Sequence, residues 1–352
     1  MKPIFVYALH SGQLYGTERM ALHTLDGLRD ELTPVLFAPP GPALAEARRL
    51  GIETVAFANA WQFARRLRPS LAGHERIAFA ATGIMHSLAF AAWNLFYRRR
   101  AVHLHLVHGG AAETLSYGRK RLLNGWPVRF VAVSEFVRGR LLAHGVRSGQ
   151  ISVVGNFLPQ RQILAAPKRP RFDAPGIRRV AIVSRVEPVK RVDLLLDMLD
   201  RHPEHSDLQF RVFGGGCDLD ALRRRAEAHP NVCFLGFSGE VDRQLAESDV
   251  LLHLCPAEPF GLVILEAMAA HLPVLVADTG GAAGLVDPAE GSGFHFRADD
   301  ADDLARRLAE LRLMPAEQIN RVADGAAKRL DDRYSSAVGL RHYRNLFAEI
   351  LG

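Results

Sequence analysis

Short apolar runs alternate along the chain with stretches in which apolar residues recur at helical spacing. The runs are four to six residues long and rich in Val, Ile, Leu and Phe, a composition typical of buried parallel strands separated by helices. This pattern predicts thirteen strands, at residues 4–9, 33–38, 54–58, 77–81, 102–107, 130–133, 151–154, 179–183, 209–213, 232–235, 250–254, 274–277 and 293–296.

The strands fall into two successive β–α–β series, which predicts an α/β protein with two Rossmann-like domains rather than one large sheet. A length of 352 residues also favours two domains. Four prolines lie within residues 159–178 and indicate an exposed linker. We therefore predict a first domain at 1–165, a linker at 166–178, a second domain at 179–334, and a final helix at 335–352 that packs back toward the first domain.

One uncharged stretch, residues 77–97, has the length of a membrane span and is followed by three arginines. It contains His86, Asn94 and other polar residues, and Gly83 divides it into a strand-like and a helix-like half. We therefore predict a strand followed by a helix. The apolar run after Met1 is too short for a signal-peptide core and is predicted to be the first strand.

Charge is distributed unevenly along the chain. Residues 1–170 carry 22 Lys and Arg against 9 Asp and Glu, a net charge of +13, whereas residues 171–352 carry 22 against 29, a net charge of −7. A basic half attracts anionic membranes, phosphorylated substrates or nucleic acid. Nucleic acid is the weaker interpretation, because no run of Lys and Arg is interleaved with aromatic residues. The three cysteines form no C-x-x-C pair and suit a reducing cytosol.

Two carboxylates, Glu258 and Glu266, stand eight residues apart just after a predicted strand. A proline and a glycine between them predict a turn, and the apolar run that follows predicts a helix. The backbone N–H groups at the helix start would lack partners and could bind phosphate or hydroxyl oxygens; they belong to Phe260, Gly261 and Leu262. Glu266 could accept hydrogen bonds from two vicinal hydroxyls. The alternative is a surface glutamate and a helix glutamate paired with a basic neighbour.

Arg185 and Lys190 stand five residues apart, after the strand predicted at 179–183. Two cations at the carboxyl end of a strand can converge on a diphosphate, Arg through a bidentate fork and Lys as a point charge. The alternative is a solvated basic loop.

Glycines follow two other strands. Gly16 allows a ligand to approach the backbone after the first strand, and Thr17 could cap the following helix. The alternative for both is an ordinary helix start. The glycines at 214–216 are more simply a turn than a nucleotide loop, because they fit neither the G-x-G-x-x-G nor the P-loop pattern.

Three histidines lie on or after the strand at 102–107. Alternation places His103 and His105 on one face, and His108 ends the strand before two glycines. A metal site is poorly supported, because no carboxylate or cysteine completes a ligand set. His108 is either a polar group in a ligand cleft or a satisfied loop residue.

In their order and spacing, these segments resemble glycosyltransferase family 4, retaining transferases of the GT-B fold, from Gly16 to Leu351. The strongest part is the E-x7-E spacing of Glu258 and Glu266 with an internal Pro-Phe-Gly. Further segments are similar to the family's G-R-x4-K diphosphate segment, to its N-V-x-F-L-G stretch near the nucleobase and to its flanking strands; they lie at residues 184–190, 231–237, 273–281, 131–135 and 153–156.

The resemblance implies that the first domain takes the acceptor and the second takes the nucleotide sugar, with the two domains facing each other across a cleft. Glu266 would hold the donor ribose and Glu258 would contact the transferred sugar. Arg185 and Lys190 would neutralise the diphosphate. The backbone at Gly236 and Phe237, with the amides at 260–262, would complete the donor site.

The resemblance also implies roles for the first domain. Gly16 and Thr17 would approach the phosphates and the acceptor, and His108 would lie beside the reacting sugar. Three positions depart from the family pattern: Ser184 replaces a glycine, Arg191 stands where glycine is common, and Ala282 stands where an acidic residue is expected. The last change puts the local helix-start geometry in doubt.

We therefore expect a metal-independent, retaining enzyme that moves a hexose-type sugar from a UDP- or GDP-linked donor to a glycan or lipid-linked acceptor, in cell-surface polysaccharide or lipopolysaccharide synthesis. No cofactor is expected: no D-x-D-like acidic site precedes a plausible metal position, so that the cations and amides would stabilise the leaving diphosphate instead. Attack on the same face, assisted by the departing phosphate, is implied by the resemblance alone.

The expected location is the cytoplasm, with peripheral contact between basic residues of the first domain, such as Arg98–Arg100, and an anionic membrane. Solvation of an Arg-rich chain is the alternative. Alternatives for the activity are a sugar-nucleotide epimerase, a phosphorylase, and a non-catalytic nucleotide-sugar-binding protein on the same fold.

Overall fold

The computed structural model describes residues 2–109 and 116–351. The chain forms two compact units, one made of Met1–Phe157 with Ser336–Gly352 and the other of Leu158–Ser335. Every strand predicted from the sequence is present, with ends that differ from the prediction by at most two residues.

Among the described residues, the first unit contains seven parallel strands: β1 (Ile4–Ala8), β2 (Thr33–Ala38), β3 (Glu53–Ala56), β4 (Arg76–Ala81), β5 (Arg100–Val107), β6 (Arg129–Ala132) and β7 (Ile151–Val153). They are hydrogen-bonded in the order β3-β2-β1-β4-β5-β6-β7. The helices that follow them are α1 (Gly16–Gly27), α2 (Pro42–Arg49), α3 (Ala60–Leu71), α4 (Ile84–Tyr97) and α5 (Glu135–Ala143), with 3₁₀ turns at Gly118–Leu123 and Ser148–Gln150.

Aromatic side chains fill one face of this first sheet. Phe79 of β4 stacks on Phe90 of α4 with ring centroids 4.0 Å apart, and Phe37 of β2 meets Phe63 of α3 edge-on at 5.6 Å. The prediction that residues 77–97 form a strand and a helix is confirmed, with Gly83 at the N-cap of α4. No helix within the described ranges is long and apolar enough to cross a membrane.

The second unit has six parallel strands in the part of the chain that the structure describes: β8 (Arg179–Val183), β9 (Gln209–Phe213), β10 (Val232–Gly236), β11 (Val250–His253), β12 (Val274–Ala277) and β13 (Phe294–Phe296). Their order is β10-β9-β8-β11-β12-β13. The helices are α6 (Gln160–Ala165), α7 (Asp193–Arg201), α8 (Leu219–Arg225), α9 (Val241–Ala246), α10 (Leu262–Ala269), α11 (Gly280–Ala283), α12 (Ala301–Leu313) and α13 (Ala316–Arg329). Short turns of 3₁₀ or π type lie at Pro188–Lys190, Pro203–His205, Ala226–Ala228 and Leu330–Tyr334.

The proline-rich segment predicted to be an exposed linker is anchored in the second unit. Arg169 Nη2 donates to Asp249 Oδ1 at 2.7 Å, and both side chains are less than a tenth exposed. Phe172 is buried in the core, and Asn320 exchanges two hydrogen bonds with its backbone. The chain leaves the first unit between Phe157 and Leu158, so that residues 166–178 do not connect the two units.

The last two helices, α14 (Ser336–Leu346) and α15 (Ala348–Leu351), belong to the first unit. Phe347 meets Phe5 of β1 edge-on with ring centroids 5.1 Å apart. Arg344 Nε donates to Glu31 Oε1 at 2.7 Å. Gly339 lies so close to Phe157 that a Cβ at this glycine would stand 2.1 Å from the ring. Residues 336–352 are thus an integral part of the first unit.

Candidate functional site

The candidate site of the second unit lies at the carboxyl edge of its sheet. In parallel sheets, ligands bind in the crevice beyond the carboxyl ends of the strands. Here β8 is followed by Ser184 and Arg185, β10 by Phe237, and β11 by the loop that carries Glu258. Because β8 and β11 are neighbours in the sheet, the loops after them lie side by side.

Glu258 is the centre of this edge. Lys190 Nζ lies 2.6 Å from Glu258 Oε2, and His253 Nε2 lies 3.3 Å from the same oxygen. All three side chains are largely buried, with exposed fractions of 14 % for Lys190 and Glu258 and 4 % for His253. No described residue donates a hydrogen bond to the second carboxylate oxygen, Oε1, which is therefore available to a ligand.

These contacts keep Glu258 ionised. Burial by itself would raise the pKa of the Glu258 carboxyl, but the hydrogen bond from His253 and the charge of Lys190 outweigh it and lower the pKa to about 2. At neutral pH the group is an acceptor of hydrogen bonds and a fixed negative charge. It cannot act as a general acid.

The loop after β8 carries both predicted cations. Arg185 is well exposed and its Nη1 lies 2.7 Å from Glu187 Oε1, whereas Lys190 is turned toward Glu258. Arg191 adopts the left-handed conformation with φ 53°, which explains why glycine is common at this position in the family that the sequence resembles. Ion pairs of the Arg191 guanidinium with Asp193 and Asp299 hold it there.

The three glycines after β9 form a turn, the simpler of the two sequence interpretations, and allow close backbone packing. A Cβ at Gly214 would lie 1.8 Å from the carbonyl oxygen of Ser184, and one at Gly216 would lie 2.1 Å from that of Val186. The amide of Val186 in turn donates to the carbonyl of Gly215 at 2.9 Å. The glycines thus support the loop that holds Arg185.

Helix α10 begins where the sequence predicts a helix start. Gly261 is its N-cap, with φ 97°, and a Cβ there would stand 2.9 Å from Ile264 Cδ1. The amides of Phe260, Gly261 and Leu262 donate to no backbone carbonyl among the described residues. Glu266, half-buried in the second turn of the helix, engages a neighbouring group of the protein.

The turn after β12 packs against the Glu258 loop. The amide of Gly281 donates to the carbonyl of Glu258 at 2.6 Å, and Thr279 Oγ1 donates to that of Pro256 at 2.9 Å. Gly280 adopts φ 81°, and a Cβ there would lie 2.9 Å from the carbonyl oxygen of Pro256. Ala282 stands where the family pattern has an acidic residue. The turn nevertheless forms a short helix, α11 (Gly280–Ala283), whose first residues contact the backbone of the Glu258 loop.

Gly236 and Phe237 end strand β10 at the edge of the sheet. Gly236 adopts φ 74°, and its carbonyl accepts a hydrogen bond from the amide of Gly214 at 2.8 Å. The side chain of Phe237 is 87 % exposed. An apolar ring in this position offers a flat surface on which a nucleobase can stack.

Gly16 and Thr17 lie in the first turn of α1, after β1. The prediction that Thr17 caps this helix is wrong, because the helix begins at Gly16 and its N-cap is Tyr15. Glu18 takes the capping role instead: its Oε2 accepts a hydrogen bond from the amide of Tyr15 at 3.0 Å. Gly16 and Thr17 thus lie at the start of the helix that follows the carboxyl end of β1.

His108 follows β5 at the same edge of the first unit. Burial, with a smaller contribution from the charge of His10, lowers the pKa of His108 to about 4, so that its imidazole is neutral at pH 7. Its Nε2 has no hydrogen-bond partner among the described residues. A neutral imidazole with a free nitrogen can accept or donate a hydrogen bond to a sugar hydroxyl.

The two histidines within β5 are core residues. His103 packs edge-on against Phe79 and Phe90, and Ser87 Oγ lies 2.8 Å from His105 Nδ1. Within the described ranges, no group of three or more His, Cys, Asp or Glu side chains is arranged to hold a metal ion.

Sequence reasoning did not identify two residues of the second-unit site. His253 lies within the strand predicted at 250–254 and was assigned no role, although a histidine in a fully buried strand is itself a signal. Glu187 forms an ion pair with Arg185, and this contact depends on how the loop after β8 turns, which the sequence pattern does not predict. Lys190 and Glu258 were predicted separately, and the structure shows that they form one ion pair.

Two Rossmann-like parallel sheets in one chain, with polar residues after their strands, define the GT-B class of fold. Solved structures share it: the Anabaena protein HepE in complex with UDP and glucose matches with a TM-score of 0.77 and 19 % identity, over 98 % of this chain and 99 % of that one. The fold class predicted from the sequence is therefore confirmed.

The second unit also matches a family. Residues 171–329 match the family model described as glycosyl transferases group 1. An exopolysaccharide phosphotransferase of Streptomyces coelicolor is 28 % identical over 213 residues, which are 59 % of this chain and 22 % of that protein. The O-antigen biosynthesis glycosyltransferase WbnH of Escherichia coli is 28 % identical over 170 residues, 47 % of this chain and 45 % of that protein. The chain thus aligns with less than half the length of these relatives.

Proposed function

We propose that the protein is a glycosyltransferase of family 4 that moves a hexose-type sugar from a UDP- or GDP-linked donor to a glycan or lipid-linked acceptor. The observation that carries the proposal is the largely buried Lys190–Glu258 pair, which stands beside amides at the start of α10 that donate to no backbone carbonyl among the described residues. This arrangement places a cation, an ionised acceptor and hydrogen-bond donors at one edge of the sheet, where a sugar diphosphate needs all three.

Cleavage of a glycosyl–phosphate bond develops negative charge on the diphosphate and positive charge at the anomeric carbon. In the proposed reaction Arg185, Lys190 and the amides of residues 260–262 stabilise the first charge. Glu258 accepts a hydrogen bond from a sugar hydroxyl through Oε1 and opposes the second charge. Because its pKa is about 2, Glu258 performs both tasks without taking up a proton.

The remaining donor contacts follow from the resemblance. Glu266 binds the ribose hydroxyls, the backbone at Gly236 and Phe237 binds the base, and Gly16, Thr17 and His108 bind the phosphates, the acceptor and the sugar from the first unit. The donor is proposed to be UDP- or GDP-linked; HepE, whose fold is similar, was solved with UDP-glucose. We propose that the reaction is retaining and needs no metal ion.

The proposed acceptor lies at a membrane surface, where polysaccharide and lipopolysaccharide precursors are assembled. The end of α4 exposes large apolar side chains: Leu95 is 63 %, Phe96 82 % and Tyr97 41 % exposed. Arg98–Arg100 follow directly after them. Apolar side chains bordered by arginines fit an anionic bilayer, into which the rings insert while the guanidinium groups meet the headgroups.

Vesicle sedimentation tests the membrane contact. The protein should sediment with vesicles of phosphatidylcholine and phosphatidylglycerol, and the double variant Leu95→Ser, Phe96→Ser should bind them more weakly. Leu313→Ser is the matched control, because this leucine is 81 % exposed on the second unit. Equal binding of the wild type to neutral and anionic vesicles would refute the electrostatic part of the proposal.

Calorimetry with UDP, GDP, ADP and CMP tests the donor. One nucleoside diphosphate should bind, and Glu266→Ala should weaken its binding by roughly 10- to 150-fold, the effect of losing a charge-assisted hydrogen bond. Glu317→Ala, at an exposed glutamate on α13, should leave binding unchanged. Nucleotide binding that survives Glu266→Ala would indicate that the nucleotide binds at a different site. Consumption of the donor without acceptor would exclude the proposed reaction in favour of an epimerase.

A further inference from the structure

Lys120, in the 3₁₀ turn Gly118–Leu123, is a buried lysine to which the described residues supply no counter-charge. Its side chain is only 9 % exposed, and no described residue forms an ion pair or hydrogen bond with its amino group. Lysines are almost never buried this far unless a carboxylate neutralises them. The neighbouring Arg119 and Arg121 are not buried, so that the inward position of Lys120 is specific to this residue.

Lys120 lies among the side chains at the carboxyl edge of the first sheet. The 3₁₀ turn that carries Lys120 contacts α4. Burial lowers the pKa of both His10, which follows β1, and His105 of β5, and the charge of Lys120 lowers both further. His10 Nδ1 lies 2.7 Å from Thr82 Oγ1 at the end of β4. A Cβ at Gly83 would lie 2.7 Å from His86 Nδ1 and 3.3 Å from His10 Cβ, which shows how tightly these groups pack.

Buried imidazole nitrogens in the same group also lack partners. They are His86 Nδ1, His105 Nε2 and His108 Nε2, and none of them has a hydrogen-bond partner among the described residues. His86 is 7 % exposed and His105 is fully buried. Buried polar atoms are normally satisfied, and several unsatisfied ones beside an unpaired cation indicate that a ligand or water completes the group. His10 is exposed, so solvent reaches the cluster.

We propose that Lys120, with His10 and Thr82 at its entrance, forms a subsite for an anionic group of the acceptor, a phosphate or a carboxylate. The inference rests on the proposed function, in which the first unit takes the acceptor. An acceptor anion would supply the counter-charge that no described carboxylate provides. If a glutamate of the protein occupied the position of the acceptor anion, it would neutralise Lys120 permanently, and Lys120 would no longer attract the ligand.

The charged and titratable neighbours agree with this assignment. Glu18 is buried near His10, where its charge opposes the lowering of the pKa of His10, but its Oε2 is engaged by the amide of Tyr15. Burial lowers the pKa of Lys120 to about 8, and burial keeps His86, His105 and His108 neutral at pH 7. Lys120 is therefore the cation of the cluster at neutral pH, and a bound anion raises its pKa.

NMR of the full chain after reductive ¹³C-methylation tests the subsite, because the chain has only five lysines: Lys2, Lys120, Lys168, Lys190 and Lys328. Lys120→Arg identifies the Lys120 signal. Inorganic phosphate is titrated with and without saturating UDP, and chloride at equal ionic strength is the control. We expect phosphate to move the Lys120 signal and raise the pKa of this lysine, also with UDP bound, while the exposed Lys328 does not respond.

Each outcome has one meaning. A Lys120 signal that phosphate moves no more than chloride does would refute the subsite. A signal that UDP moves, with no further change on adding phosphate, would refute its assignment to the acceptor. UDP should move the Lys190 signal, and a failure there would count against the proposed function without affecting the Lys120 result. Lys120→Gln should weaken phosphate binding at least about tenfold and leave UDP affinity unchanged.

Discussion

At the scale of single residues, the second-unit site depends on one oxygen atom. Glu258 Oε2 receives both Lys190 Nζ and His253 Nε2, which fixes the carboxylate and directs Oε1 away from these partners. A buried carboxylate with one partner would be costly, because breaking a buried pair leaves an uncompensated charge. Substitution of Lys190 and substitution of His253 should therefore have different effects on the enzyme.

Lys190→Met should lower kcat, because the substitution removes the cation that stabilises the leaving diphosphate and leaves Glu258 less well neutralised. The expected loss is roughly 10- to 150-fold, the effect of one charge-assisted hydrogen bond. Initial rates at saturating donor measure it. Lys328→Met, at an exposed lysine of α13, is the control. An unchanged kcat in the Lys190 variant would contradict the assigned role.

His253→Leu should raise the pKa of Glu258 from about 2, because the hydrogen bond from His253 is one of the contacts that lower it. The acid limb of the pH dependence of kcat/KM should move to higher pH. His253→Gln, which keeps a donor near the carboxylate, should move the limb less. If Leu and Gln give the same profile as the wild type, His253 does not position Glu258.

At the scale of elements, the start of α10 depends on a left-handed residue. Gly261→Ala places a Cβ 2.9 Å from Ile264 Cδ1 at a φ of 97°, a conformation that residues with a side chain rarely adopt. We expect a loss of about 1–3 kcal/mol in the free energy of unfolding, together with weaker nucleotide binding. Urea unfolding and calorimetry measure the two effects.

Gly239→Ala is the matched control, since no atom lies within 4 Å of a Cβ built there and the residue has no positive φ. It should unfold and bind nucleotide like the wild type. Equal stability of the Gly261 variant and this control would show that the helix start tolerates a side chain.

Periodicity was sufficient to predict the strands and to place Glu258, Arg185 and Lys190 after them, because parallel strands are buried on both faces and their loops follow directly. It was not sufficient for groups that meet only through tertiary packing. The pairing of Arg169 with Asp249 joins residues far apart in sequence, and prolines around Arg169 fit an exposed linker equally well. The contact of His253 with Glu258 likewise depends on how the loop after β11 turns back.

At the scale of the whole molecule, the two units should respond differently to acid. Burial lowers the pKa of His86 to about 4 and of His103 to about 3, and the pKa of His105 also lies well below its usual value. Below about pH 6.5 these histidines are protonated in the unfolded chain but remain neutral in the folded one. The first unit therefore loses stability as the pH falls toward 4, by up to about 1.4 kcal/mol per pH unit for each histidine.

In the second unit, the contribution of Glu258 is lost in a lower window. Its folded pKa of about 2 lies below the ordinary value near 4.5, so the stabilisation is complete above pH 4.5 and declines as the pH falls toward 2. The three tryptophans, Trp61, Trp93 and Trp126, all belong to the first unit. Tryptophan fluorescence should therefore change at higher pH than far-ultraviolet circular dichroism, which reports both units. Coincident transitions would contradict this order.

The membership of residues 336–352 in the first unit has a consequence for synthesis. Residues 336–352 are synthesised after all of Leu158–Ser335, so the β1 face that receives Phe347 stays uncovered while the second unit emerges and can already fold. A nascent chain arrested before residue 336 would contain all of the second unit but only part of the first. Chaperones that protect exposed apolar surface would thus be needed at residues 1–157 until residues 336–352 have been made.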